Sequence, residues 1–241
     1  IAQNTTDGIV VNRDDPRLGA SAFVSNITTP VKSYGVAPGL ASLFPSDDAM
    51  RNTAADTQHA STFYADDVSL DTVEGRRAVI TFGGKQHGID LKLKGVYNVL
   101  NAVGAVAITR MVMGDALNEH AMLNSLDQVT PAFGGGETLT VDGTDCELVL
   151  VKNPSGFRLS LKSFDPAGYH TMIAINDDYA DGRDMSWLWD VDFESLAAQG
   201  VSTVTGVRAY DMALRLQYDE VAPTHIDTSI KQGLGYFIET G

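Results

Sequence analysis

The sequence predicts an α/β protein with a mostly parallel sheet. Three observations carry this. In the second half, short β-branched runs alternate with helix-period segments, the order expected of parallel strands joined by right-handed crossovers. In the first half, Val99, Leu100, Val103, Val106, Ala107 and Met111 recur at helical spacing in one long segment. The chain has 241 residues, 44 % hydrophobic and 20 % charged, enough to bury a sizeable core. That composition excludes collagen-like, coiled-coil and broadly disordered classes.

The elements follow in order. Gly8 to Asn12 reads as a buried strand running into the loop Asn12-Arg13-Asp14-Asp15-Pro16. Residues 29–57, rich in Pro, Ser, Ala and Asp and without a clear period, read as loop. Residues 63–93 read as antiparallel β, with apolar residues alternating with polar ones and a turn at Gly83-Gly84. Gly95 opens the long helix and Gly114 ends it, and a second helix covers 118–126 with Asn118 as its N-cap. Residues 127–136, with Pro131 and three consecutive glycines, read as the hinge between two domains, 1–130 and 131–241.

Beyond the hinge, 147–151 reads as a strand and 154–164 as a helix, with Pro154 suited to its first turn. Residues 171–175 form the next strand, and 176–186 a polar loop. A short helix at 193–198, a strand at 202–205 and a helix at 209–218 follow, and 235–238 reads as a last strand.

Seventeen Lys and Arg against thirty-one Asp and Glu give a net charge of −14. A field of that sign repels nucleic acid and anionic lipid, so no nucleic-acid partner is expected. The single cysteine, Cys146, excludes an internal disulfide and a multi-thiolate zinc site. Asn98, Asn101, Thr109 and Arg110 interrupt the long helix, which reads as a core helix and not a membrane span. The opening IAQNTTDGIVVN lacks the pattern of a secretory leader and reads as the middle of a domain.

Three loops carry candidate chemistry, because ligands of open α/β sheets gather beyond the carboxyl ends of strands. Residues 152–157 follow a strand and open a helix, whose free N–H groups with Lys152 and Asn153 suit an anion, or simply form a capped turn. Residues 176–184 hold Asp177, Asp178, Asp181 and Asp184 with Arg183, a cluster suited to a cation, a partner's imidazole or an ion-pair network. Trp187 and Trp189 follow at once, and their spacing suggests one face of a strand. Asn98 and Asn101 share one face of the first turn of the long helix, where paired amides suit a purine edge, or else serve as a cap and a packed polar residue. The five histidines are scattered and support no metal centre, and no G-x-S-x-G or Gly-Lys-Thr phosphate loop occurs in the chain.

The segments GVYNVLNAVGAVA, PAFGGGE, LVKNPSGF, NDDYADGRDMSWLWDVDFE and GVRAYDMALRLQY, with the earlier VVNRDDP, resemble the MurT family in order. Its members are the Mur-ligase-like subunits of lipid II isoglutaminyl synthase. The resemblance implies a Rossmann-like Mur ligase C-terminal domain at 131–241, preceded by the second part of a central ATP-binding domain at 1–130 that lacks the P-loop. It implies ATP and Mg²⁺ as cofactors, a GatD-type glutamine amidotransferase as heterodimer partner, and lipid II as substrate. The D-glutamate α-carboxylate of the stem peptide would be amidated to D-isoglutamine, in the cytoplasm at the inner face of the membrane.

By the same resemblance, Asn98 and Asn101 contact adenine, and Asp181 is the catalytic residue that orients the partner's histidine. Lys152, Asn153, Arg183 and Asp184 belong to the substrate or interface loops. The stretch 45–77 has no cysteine where many members carry a zinc ribbon, so no zinc is expected. Gly135 stands where the family linker has an arginine. Without a phosphate loop this chain alone is expected to be inactive, and the alternative is a non-catalytic binding partner of the amidotransferase.

Overall fold

The computed structural model describes residues 2–45, 67–93, 95–130, 135–163, 166–178 and 184–241. The chain forms two compact units, Ile1–Glu137 and Thr138–Gly241, so the division falls a few residues beyond the 130/131 boundary expected from the sequence.

The first unit is a five-stranded mixed sheet in the order β1 (Ile9–Asn12), β2 (Val31–Val36), β3 (Val68–Glu74), β4 (Arg77–Phe82), β5 (Lys85–Asp90). β1, β2 and β3 are parallel, and β3 to β5 form an antiparallel meander. Strand β2 lies inside 29–57, expected to be loop, and a 3₁₀ turn follows at Pro38–Leu43. The run VKSYGV has no apolar alternation because Ser33 and Tyr34 interrupt it. Its ladder partners on both sides, and not its own pattern, make it a strand. A short helix α1 (Ser21–Val24) precedes it.

Helix α2 (Val96–Met113) lies across β1, β2 and β3. It buries Val99, Val103, Val106 and Ala107 against Leu70, Ile80 and Phe82 of the sheet. By length and composition it is apolar enough to cross a membrane. Gly104 lets the helix sit close to the Tyr34 ring, since a Cβ there would lie 3.2 Å from it and the ring would have to give by a few tenths of an ångström. Helix α3 (Glu119–Leu126) is capped as expected, Asn118 Oδ1 accepting from the Ala121 N–H at 3.0 Å.

A two-stranded hairpin, β6 (Gly135–Val141) and β7 (Thr144–Val149), spans the division at Glu137 and Thr138. Asp142 (φ 50°) and Gly143 (φ 87°) make its two-residue turn. The strand expected at 147–151 therefore starts earlier and pairs with β6. It is not a member of the parallel sheet. Helix α4 (Pro154–Ser163) follows.

The parallel sheet has the order β10 (Pro223–Asp227), β9 (Val201–Thr205), β8 (Met172–Ala174). Helix α5 (Ala209–Tyr218) joins β9 to β10, over the range the sequence predicts. The last element is helix α6 (Ile230–Thr240), not a strand at 235–238. Ser229 caps α6, and Gly233 lets the helix approach β9 so closely that a Cβ would lie 2.6 Å from Thr205 Oγ1. The core joins Ile173, Val204, Met212, Leu216, Leu188 and Phe193.

Candidate functional site

The carboxyl edge of the parallel sheet in the second unit is where β8 and β9 deliver their following loops. Strand β8 runs into Ile175, Asn176 and Asp177, and β9 into Gly206, Val207 and Arg208. Two contacts tie these exits together. Asn176 Oδ1 accepts the Val207 N–H at 3.2 Å, and the Arg208 guanidinium lies 3.3 Å from both Asp177 and Asp211. Gly206, at φ 94°, allows this closeness, since a Cβ on it would lie 2.2 Å from the Ile175 carbonyl oxygen.

Asp177 is thus an ion-pair partner at the start of the acidic loop. Asp181 and Arg183 lie outside the described residues. At the far end of the loop, Asp184 is exposed, and its Oδ1 accepts the Ser186 N–H at 2.9 Å. That backbone N–H, aided by the Ser186 hydroxyl, holds the Asp184 carboxyl below the usual carboxylate range.

The segment after Asp184 is a 3₁₀ helix, Ser186–Asp190, and not the strand expected from the tryptophan spacing. At three residues per turn, positions two apart point in different directions. Trp187 packs on the core beside Phe157, with ring centroids 6.3 Å apart, whereas Trp189 is 50 % exposed and meets Tyr218 edge-on at 5.0 Å.

Lys152 and Asn153 are exposed just before α4. Asn153 Oδ1 accepts the Gly156 N–H at 2.8 Å, so its side chain caps the helix. Helix α4 packs on the 186–190 turn, where buried Arg158 donates to the Asp190 carbonyl. The loops carrying Asn153 and Asp184 therefore open two elements that touch each other.

Asn98 and Asn101 lie in the first unit, in the first two turns of α2. Asn98 is 8 % exposed and Asn101 is exposed. Gly95 before them has φ 90° and provides no side-chain cap, and the two residues differ in exposure, Asn98 lying inside the fold and Asn101 facing solvent.

Sequence reasoning missed Arg208 and gave Asn176, the first residue of the acidic loop, no role of its own. Their signal was position alone: each follows a β-branched run within three residues, at the edge where a parallel sheet gathers ligands. A cavity of about 400 Å³ lies at the opposite, amino edge of the same sheet, between Tyr169, His170, Ser202 and Tyr236, and takes in none of the expected site residues.

This arrangement, an acidic loop leaving the carboxyl edge and a capped helix beside it, falls in a segment with known relatives. Residues 150–239 match the MurT ligase C-terminal family model. The chain is 34 % identical over 152 residues to the MurT subunit of lipid II isoglutaminyl synthase (glutamine-hydrolyzing) from Streptococcus pneumoniae, covering 61 % of this chain and 33 % of that one.

Two solved structures share the fold. A pseudomurein peptide ligase type C from Methanothermus fervidus superposes with a TM-score of 0.61 at 13 % identity, over 91 % of this chain and 45 % of that one. MurF from Acinetobacter baumannii gives 0.60 at 13 % identity, over 98 % of this chain and 46 % of that one. The fold is that of the Mur ligases. The chain spans about a third of the length of the curated relative and under half of the solved ligases.

Proposed function

We propose that the chain is part of an ATP-dependent amide ligase subunit that works with a GatD-type glutamine amidotransferase on lipid II. In this reading, residues 1–130 are the second part of the ATP-binding central domain and 131–241 the C-terminal domain. The match of residues 150–239 to the MurT ligase C-terminal model is the observation that carries it.

A carboxylate is a poor electrophile, and phosphorylation of the D-glutamate α-carboxylate supplies a leaving group. Ammonia from the glutaminase attacks the acyl carbon. A C–N bond forms, the C–O bond to phosphate breaks, and nitrogen sheds a proton to give the D-isoglutamine amide. Asn98 and Asn101 hold the adenine edge. Mg²⁺ accompanies ATP, and among the described residues no three His, Cys, Asp or Glu side chains gather to hold it.

Asp181 orients the partner's histidine, with Arg183 and Asp184 beside it, and Lys152 and Asn153 face substrate or partner. The work takes place in the cytoplasm, at the inner face of the membrane. The test is to combine the full-length protein with its glutaminase subunit, glutamine, ATP and lipid II. Mass spectrometry should show carboxyl converted to carboxamide, dependent on both ATP and glutamine.

Gly135, at the position of the family's linker arginine, favours a second reading, a non-catalytic partner of the amidotransferase. Binding to the glutaminase without amidation or ATP turnover would establish that reading. Neither binding nor amidation would overturn both.

A further inference from the structure

The cavity at the amino edge of the parallel sheet holds about 400 Å³, within the range of about 300–1,000 Å³ typical of small-molecule sites. Residues at the starts of the three strands line it: Thr171 before β8, Ser202 in β9 and Thr224 in β10. Strand β9, five residues long, separates it from the exits at the carboxyl edge by about 17 Å. The cavity thus lies apart from the acidic loop.

Two elements supply aromatic walls. Gly168, at φ 80°, takes the third position of a turn in which the Tyr169 N–H donates to the Pro166 carbonyl at 3.1 Å. That turn sets Tyr169, 55 % exposed, at the cavity beside His170. Helix α6 brings Tyr236, whose ring stacks on His225 at a centroid distance of 4.0 Å and an angle of 20°. The stack fixes the plane of the Tyr236 ring before any ligand arrives.

The polar groups decide the ligand class. Among the described residues that line the cavity there is no Lys, Arg, Asp or Glu. A phosphate or carboxylate would find no counter-charge there, in a chain of net charge −14, and an organic cation would find no carboxylate. The walls offer the hydroxyls of Thr171, Ser202, Thr224 and the two tyrosines, with the amide of Gln199. The Thr240 hydroxyl donates to the Tyr236 carbonyl at 2.8 Å, which leaves it as an acceptor. A hydroxyl both donates and accepts, and it rotates to suit, so this set matches the hydroxyls of a sugar better than the fixed edge of a nucleobase. A pyranose also carries C–H groups on its face, and these pack on an aromatic ring while the hydroxyls around the rim keep their hydrogen bonds.

We propose that the amino-edge cavity binds a neutral pyranose, with the sugar face on Tyr169 and the sugar hydroxyls on Ser202, Thr224 and Gln199. The inference does not rest on the function proposed above, since no residue of the ligase reading lies in the cavity.

The test is saturation-transfer NMR on the full-length protein with glucose, N-acetylglucosamine and adenosine as separate probes. The C–H protons of at least one sugar should receive saturation. Tyr169→Ala removes an exposed ring and Thr224→Val keeps the β-branched shape, so circular dichroism melting of both should match the parent. Tyr169→Ala should weaken sugar affinity at least tenfold, and Thr224→Val roughly fivefold, the value of one hydrogen bond. Lipid II added in detergent identifies the source of the ring. Displacement of the monosaccharide assigns it to the lipid headgroup, no displacement assigns it to a free sugar, and either result supports the site. Three results would each overturn the inference: no transfer to either sugar, parent-like affinity in both variants, or adenosine bound in preference to both sugars. Amidation by the assembled complex tests the proposed function separately.

Discussion

Gly206 stands directly over the carbonyl of Ile175, with room for no side chain: a Cβ would lie 2.2 Å from the oxygen. Its φ of 94° is also one that residues with a Cβ avoid. Gly206→Ala must push the exits of β8 and β9 apart, and is expected to cost about 3 kcal/mol. Chemical denaturation of the second unit, followed by tryptophan fluorescence, checks this, since both tryptophans lie in that unit.

Asn153 separates capping from substrate contact. Asn153→Ala should destabilise α4 by about 1 kcal/mol. Asn153→Asp keeps an acceptor for the Gly156 N–H and should retain the stability. Loss of amidation in Asn153→Asp, with unchanged melting, would show that the amide also meets substrate or partner.

Asn101 is exposed on α2, and Asn101→Ala should leave stability within about 0.5 kcal/mol. ATP affinity of the full-length protein should fall by roughly tenfold, the value of one lost hydrogen bond of about 1.4 kcal/mol. Titration with a fluorescent nucleotide reads the change, and unaltered affinity would remove Asn101 from the nucleotide site.

Tyr34 gives the first unit an alkaline limit. Burial first, then the charges of Asp14 and Asp15, raise its phenol above the usual value. The neutral form is the one the fold accepts. Its contribution is fully present below the unfolded value of about 10 and is lost as pH rises through the higher folded value. Tyr34→Phe should therefore melt at a higher temperature than the parent above about pH 10 and show no such pH-dependent gain at neutrality. Scanning calorimetry from neutral to alkaline pH tests it.

Asp181→Asn should abolish the glutaminase activity of the assembled complex while ATP binding stays intact. Glutamate release in a coupled assay measures this, and unchanged hydrolysis would remove Asp181 from service to the partner's histidine.

The elements most legible in the sequence are those whose pattern is their own. The apolar period of α2, the Asn118 cap, the Gly83-Gly84 turn and the whole of α5 are set by local spacing and backbone preference. Strand β2 was not legible, because its strandedness comes from neighbours distant in sequence. The last helix reads as a strand in the sequence for a related reason. Gly233 and Gly235 break its apolar period, yet Gly233 is there so that α6 can rest on Thr205. At the site, residue type pointed to Asn98, Asn101, Asn153 and the aspartates. Tertiary closeness alone reveals that Asn153 is occupied with a cap and that Arg208 bridges Asp177 and Asp211.

The hairpin β6–β7 straddles the division between the two units, since β6 runs from Gly135 to Val141 and the division falls at Glu137 and Thr138. Two strands alone are marginal in water, and every ladder pair counts. Anyone dissecting the protein at the division would cut through a strand and strip β7 of part of its partner. The second unit has to be excised ahead of Gly135 if it is to be isolated with its amino-terminal ladder whole.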